Sequence, residues 1–564
     1  MRRQVDDGRR IVPVLRLLDH HADTAPRGDP RFAATIAALA TVACLLAPGE
    51  SYAGRRQPAP DLPANTTTGP VPPETLFDES RFALALRAFE ARLEMLESRA
   101  KAAPDDEHLI ESIILTQGRI GETNYEMGFR AEGIRHFEIT IDRARRFFEA
   151  EPDSRFRLYL LNEALLRLAR FDDRDADRRI ESCTKVATSA RRMIATHPLE
   201  RRWRRQLGVA LDLVVDATLD ADRPNDARTT IDEAVALWRA GVAEDPHDAL
   251  ARDDLGVALI LLGRVRNASG DRDGAAAAFE ENLRMRRELV AADPGDLDRQ
   301  GRLIEALNRV GESAQDRGAR PAALDAYREK RDLAAALHAA RPENRRWDVH
   351  LRTAHEDIAT LETEQGDHVA AKRSWKSALE VSRRLVAAVP DHPAWRRRHA
   401  EILRKLGNLE EDEKELGAAL AHYRESRAVR IRLFEEGPDD PKRKHAVAMI
   451  ELDVGDVHML QDDFTACERH YARAVELIRE LVATDPRSAD RLADLAYAFR
   501  RSATAALLRG DVATAENRLA RGRERLDEYA RRSPDAADWI RKERELYEKM
   551  ETMILKRRKK SLRP

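Results

Sequence analysis

The chain has 564 residues, a charged fraction of 35% and a formal net charge of −2, from 98 Lys and Arg against 100 Asp and Glu. One hydrophobic core stops growing at ~250–300 residues, so a chain of this length is several domains or a repeat array. The two signs are interspersed among Ala and Leu, as on exposed helix faces, and no globally basic footprint for nucleic acid is present.

The chain opens with an n-region, residues 1–31, in which arginines alternate with Asp6, Asp7, Asp19, Asp23 and Asp29. Its length is unusual for a leader, and a misassigned start codon would account for that. Phe32 to Ala47 is the longest apolar run, entered past Arg27 and Arg31 and ended by Pro48. As a helix it would span roughly 24 Å, short of the ~30 Å hydrocarbon core and closer to a signal-peptide h-region. Ser51-Tyr52-Ala53 supplies small residues before a cut at Gly54. Residues 32–53 are therefore expected to be a signal peptide, with a membrane anchor over 32–47 as the alternative. The chain would then be extracytoplasmic (periplasmic or secreted) or membrane-anchored; a cytoplasmic chain is the third case. From Pro48 to Pro73 there are seven prolines and few apolar groups. Residues 54–73 are expected to be a disordered linker, because they bury too little to offset ordering entropy.

An N-terminal capping helix is expected over 74–103, and the array over 104–535 follows from the prolines. Pro104, Pro152, Pro198, Pro246, Pro294, Pro342, Pro390, Pro438, Pro486 and Pro534 mark nine intervals, eight of 48 residues and one of 46. Columns recur when places are counted from each proline. Trp203, Trp347, Trp395 and Trp539 stand at place 5. Gly121, Gly263, Gly311, Ala359, Gly407, Gly455 and Ala503 stand at place 17. Gly270, Gly318, Gly366 and Gly510 stand at place 24. Ala227, Ala275, Ala323, Ala371, Ala419, Cys467 and Ala515 stand at place 29. Phe279, Tyr327, Trp375, Tyr423 and Tyr471 stand at place 33. Each unit reads as two helices of about 18 residues with apolar positions at helical spacing, parted by a turn that needs positive φ. Small residues let the helices approach, and the aromatic fills the remaining gap. Such units bury their faces only against neighbours, so the expected fold is an all-α solenoid of nine hairpins, with a C-terminal capping helix and basic tail over 536–564. Arg174, Lys414 and Asp462 stand where the turn glycine is expected, so those turns are expected to differ locally.

The small–alanine–aromatic spacing of Gly311, Ala323 and Tyr327 resembles the tetratricopeptide repeat, in a long 48-residue bacterial form of the usual 34-residue unit. The resemblance implies a right-handed superhelix and a concave groove lined by the first helix of each hairpin. It also implies a non-catalytic protein- or peptide-binding adaptor or scaffold. A self-associating structural or assembly factor of the bacterial cell envelope is the alternative, and a homo-oligomer fits either reading.

Catalytic and cofactor signatures do not appear. There is no phosphate loop, HExxH, GxSxG or kinase motif, so no enzyme, no cofactor and no metal are expected. Cys44, Cys183 and Cys467 form no CxxC pair. His355-Glu356 lacks a second His, and Asp173-Arg174-Asp175-Ala176-Asp177 lacks the glycine and the bidentate Glu of a calcium loop. Arg201, Arg202, Arg204 and Arg205 around Trp203 could stack on nucleic acid. Acidic residues at the same places of neighbouring units argue against it.

Transferred from the family, the groove positions are places 14 and 18. The candidate partner-binding residues are Asp212, Asp216, Arg264, Asn308, Glu312, Glu356, Arg404, Asn408, Asp456 and Arg500. Arg404 with Asn408 is similar to a basic–Asn pair that clamps a peptide carboxylate, with Asp453 where the clamp would have another Asn. A pairing of Arg404 with Glu401 or Glu411 is the plainer reading.

Overall fold

The structure is a computed structural model that describes residues 72–78 and 82–561. The expectations for the n-region, the signal peptide or anchor, and nearly all of the linker lie outside the described residues. Among the described residues there are 21 α-helices and no strand. The first helices of the hairpins run Glu107–Glu126, Arg155–Phe171, Arg201–Asp220, Ala249–Ala268, Leu297–Asp316, Arg345–Gln365, Pro393–Asp412, Pro441–Leu460 and Ala489–Leu508. The second helices run Arg130–Glu149, Ala176–Thr196, Arg228–Glu244, Arg272–Ala292, Arg320–Ala340, His368–Ala388, Leu416–Glu435, Phe464–Thr484 and Val512–Arg532. The fold is thus an all-α array of nine hairpins among the described residues, each first helix opening three residues after its proline.

A start signal explains that constancy. Two residues after the proline stand Asp106, Ser154, Asp248, Asp296, Asp440 and Ser488, whose side chains accept from backbone N–H groups of the first turn. Such N-caps satisfy donors that the helix itself cannot. Within each hairpin the place-17 glycine makes room for the place-33 aromatic. A Cβ at Gly121, Gly263, Gly311, Gly407 or Gly455 would run into Phe137, Phe279, Tyr327, Tyr423 or Tyr471 respectively. This contact packs Ala323 into full burial beside Tyr327.

The turns depart from expectation. Gly128, Gly270, Gly318, Gly366 and Gly510 have φ between +74° and +87°. Asp222, Lys414 and Asp462 adopt the same left-handed backbone, with φ of 58°, 64° and 60°. The turns at Lys414 and Asp462 therefore keep the common shape, because the two packed helices fix the geometry and the turn residue accepts the strain. The turn at Arg174 does differ. There the two-residue deletion leaves Asp172 extended, with Arg174 bonded back to its carboxylate at 2.7 Å. In the same segment Asp175 caps the next helix and Asp173 pairs with Arg130.

Both ends of the array show how the pattern is stopped. Where one helix was expected over 74–103 there are two, α1 (Pro73–Asp78) and α2 (Phe82–Ala102). Helix α2 begins 48 residues before Arg130 and carries Phe89 48 residues before Phe137. It is a second helix whose first helix is cut to Pro73–Asp78 by the prolines before it. At the other end Ala537–Ser561 has Glu551 at place 17, held by Arg523 at 2.6 Å, where a following aromatic would need glycine or alanine.

The described residues divide into two compact units, one ending at Leu361 and one beginning at Glu362. The first holds a core cluster built on Ala210, Ala234, Ala258 and Trp238. The second has clusters around Tyr423, Tyr471 and Tyr547. Trp203 and Trp347 are fully buried, and Trp203 meets Tyr159 of the preceding hairpin edge-on at 6.0 Å between centroids, so Trp203 packs hairpins together, whereas Trp395 stacks on His392 at the start of its own helix.

Candidate partner-binding face

In the unit ending at Leu361, Asp212 and Asp216 sit one turn apart on Arg201–Asp220. Asp216 receives Arg179 from the preceding hairpin at 2.9 Å and Arg264 from the following one at 2.5 Å. Burial pushes its carboxyl up, but the two guanidiniums outweigh that and hold it below the usual carboxylate range. Asp212 has no such guanidinium. Its Oδ2 accepts from the Trp238 indole N–H at 3.1 Å, its Oδ1 has no hydrogen-bond partner, and burial drives it well above the ordinary Asp value. Asn308 donates to Glu312 at 2.8 Å and accepts from the buried Lys330, whose ammonium also holds Asp357 at 2.7 Å. Glu356 is buried against Arg352 on its own helix.

The unit beginning at Glu362 repeats the theme. Arg404 is engaged by Asp453 of the next hairpin and lies 3.8 Å from Glu401, while Glu411 accepts from the Tyr423 hydroxyl instead. Asn408 accepts from the same hydroxyl at 2.8 Å. Asp456 takes Arg501 and the Tyr471 hydroxyl, and Arg500 donates to Glu543 at 2.5 Å. Glu401 is held down to about 2: burial opposes ionisation, but Arg430 and Arg404 overcome it.

Of the ten nominated residues, Asp212, Asp216, Glu356, Asp456 and Arg500 are buried, and Arg264, Asn308, Glu312, Arg404 and Asn408 are half-buried. The structure joins Asp216 to Arg264 directly and Asn308 to Glu312. Most of the remaining contacts bring in residues that the sequence reading missed. Arg167–Glu122, Arg205–Asp254, Arg302–Asp253, Arg346–Asp298 and His445–Asp494 join successive first helices, at 2.8 to 3.2 Å. Each pair is 45 to 49 residues apart in sequence. Opposite charges one period apart were the available signal. Within each unit the face is therefore a polar ladder that joins adjacent hairpins, with most carboxylates and guanidiniums already matched and Asp212 an exception.

Around Trp203 the arginines are likewise committed, Arg202 to Glu200, Arg204 to Glu244 and Arg205 to Asp254. The two described cysteines are buried and their thiols are pushed up to about 12 by that burial, which withholds the thiolate. Among the described residues no three His, Cys, Asp or Glu side chains converge as metal ligands would, and no helix is long and apolar enough to cross a membrane.

No family model matches the chain, and no curated protein does. Among solved structures it is similar to the apo form of RapI, with 12% identity, 76% of this chain and 99% of that one covered, and a TM-score of 0.42. It is also similar to a human IFIT1 dimer with PPP-AAAA, with 14% identity, 80% and 94% covered, and a TM-score of 0.35. A third is a signal transduction ATPase with numerous domains and a tetratricopeptide repeat sensor from Pyrococcus horikoshii. It shows 8% identity, 74% and 55% covered, and a TM-score of 0.36. At these values the likenesses transfer no residue role and no ligand.

Proposed function

We propose that the chain is a non-catalytic adaptor or scaffold, built of a long 48-residue form of the tetratricopeptide repeat, which holds another protein or peptide on the faces of its first helices. One observation carries the reading. The packing columns at places 17, 29 and 33 recur from unit to unit, while places 14 and 18 change from Asp212/Asp216 to Asn308/Glu312 to Arg404/Asn408. A face under packing constraint alone has no reason to vary its polar groups so freely beside a core that does not vary. Because the charges on this face are already matched, a partner enters by exchanging ion pairs. That suits a mixed-charge polypeptide better than a polyanion. At Arg404 a partner carboxylate would have to displace Asp453, so a carboxylate clamp is not part of the proposal. The chain is further proposed to be exported or anchored through residues 32–53, on their composition alone. Mass spectrometry of the mature N-terminus checks this, and an intact start in a soluble cytoplasmic chain would exclude it.

Site-specific photocrosslinking in cells tests the binding face. Crosslinkers at Asn308 and Asn408 are expected to capture a discrete partner band, and crosslinkers at the exposed Arg328 and Arg424 of the second helices are not. Equal capture from both sets of positions, or capture only from the second helices, would remove the assignment of the face.

A further inference from the structure

Among the described residues only six large apolar side chains are exposed: Leu84, Met95, Phe129, Leu199, Val369 and Leu555. Four of these lie on separate elements. Leu84 and Met95 share α2, at 44% and 52% exposure, and are aligned on it. Eleven residues on a helix turn through three full revolutions and about 16 Å of rise, so both point the same way. Ala91, which is exposed, and Ala88, which is half-buried and packs partly against the cluster of Ala85 and Phe89, lie between them on the same line. Leu84, Ala88, Ala91 and Met95 are thus spaced 4, 3 and 4, which is the seam of a helix pair, and the buried side of α2, with Ala85, Phe89 and Leu96, faces elsewhere. Along one flank of this seam stand Arg87 and Glu94, both exposed and neither in an ion pair or side-chain hydrogen bond among the described residues. The neighbouring charges are taken, Arg92 by Glu74 and Glu97 by Arg143.

We propose that this seam is a homodimer contact, in which α2 packs antiparallel on α2 of a second copy. The charges choose the occupant and the direction. Laid antiparallel about the Ala88–Ala91 midpoint, Leu84 lies level with Met95 of the other copy, and Arg87 stands on the same flank as Glu94 of the other copy, about 3 Å from level with it and within a guanidinium's reach, twice over by symmetry. Laid parallel, Arg87 would face Arg92, a like charge. The two alanines at the centre let the backbones come close. Three turns of seam bury less than the ~1,200–2,000 Å² of a standard interface, so the dimer is a weak, micromolar one. It stands independently of the partner-binding face, which lies on other helices.

Sedimentation velocity of the full chain from about 1 to 100 μM tests the proposal. Wild type is expected to show a reversible monomer–dimer equilibrium. Met95→Glu is expected to weaken it at least tenfold, and so is Arg87→Glu, which would set a carboxylate against Glu94 of the other copy. The double variant Arg87→Glu/Glu94→Arg is expected to restore it. All three positions are exposed, and unchanged helical circular dichroism would show the fold intact. A chain monomeric throughout that range, a dimer indifferent to Met95→Glu, or a double variant that fails to recover would each overturn the contact. So would a monomer whose Met95 is protected from peroxide, which would mean that an upstream segment such as Phe32–Ala47 covers the seam.

Discussion

The left-handed turns offer a measurement of backbone strain free of packing. Lys414 holds φ +64° and is exposed, and Gly318 holds φ +74° at the same place of another unit. A Cβ added at Gly318 would meet nothing within 4 Å, so the two sites differ only in the side chain that the turn must tolerate. An L-residue in this conformation costs roughly 1–2 kcal/mol relative to its preferred backbone. Glycine is barely strained there but loses up to about 1 kcal/mol through the freedom of its unfolded chain. Lys414→Gly should therefore stabilise its hairpin by about 0.5–1 kcal/mol, and Gly318→Lys should destabilise its own by a similar amount. Array stability is close to a sum of local terms, so each change should be confined to the substituted hairpin and its neighbours. Hydrogen exchange read by mass spectrometry resolves this, with protection rising over 393–435 in the first variant and falling over 297–340 in the second. If Lys414→Gly lowered protection, or Gly318→Lys left it unmoved, the turn conformation would not be imposed by the packed helices and the shared geometry would need another cause.

Three further changes probe the core and the ladder. Ala323→Leu puts three extra carbons into a fully buried contact beside Tyr327 and should cost roughly 1–3 kcal/mol, seen as lost exchange protection centred on 297–340. Arg404→Ala removes a guanidinium from the buried Asp453, so it should cost about 1.5–3 kcal/mol in denaturant unfolding, where a plain surface pair would cost almost nothing. Asp212→Asn should stabilise the chain at neutral pH. The carboxyl of Asp212 is pushed well above the ~3.9 of an unfolded Asp, so the folded chain keeps a proton that the unfolded chain has lost, and stability falls as pH rises through that window. The variant lacks that decline, and parallel pH profiles of wild type and variant would show that Asp212 is not held protonated.

How much of this was legible follows from which interactions repeat. Helix spans, the Gly311–Tyr327 contact and the burial of Ala323 could be read from columns, because every hairpin faces the same packing problem and solves it with the same residues. The turn at Lys414 could not. Local propensity speaks against a left-handed lysine, and only the two helices it joins, each packed elsewhere, can overrule it. The first turns were readable but went unread: Asp106, Asp248, Asp296 and Asp440 form a cap column as regular as the glycines.

The ladder lies between these cases. Places 14 and 18, transferred from the family, fall on a helix face whose polar side chains mostly have partners already, on their own helix or on the adjacent hairpin. A charged residue on a face packed this closely is either matched, as Asp216 is, or pushed toward its neutral form, as Asp212 is, because an unpaired buried charge is costly. The match comes from the adjacent hairpin, one period away, which is why Asp216 finds Arg264 and Arg346 finds Asp298. In such an array the same ion pairs that join neighbours are the ones a ligand must reopen. Affinity and local stability are thereby coupled. A partner that takes over Arg264, for example, should loosen the Asp216 contact, and one that merely adds to the surface should not. Exchange protection across 201–268 with and without the bound partner separates the two: a local loss on binding means exchange, and a uniform gain means simple addition.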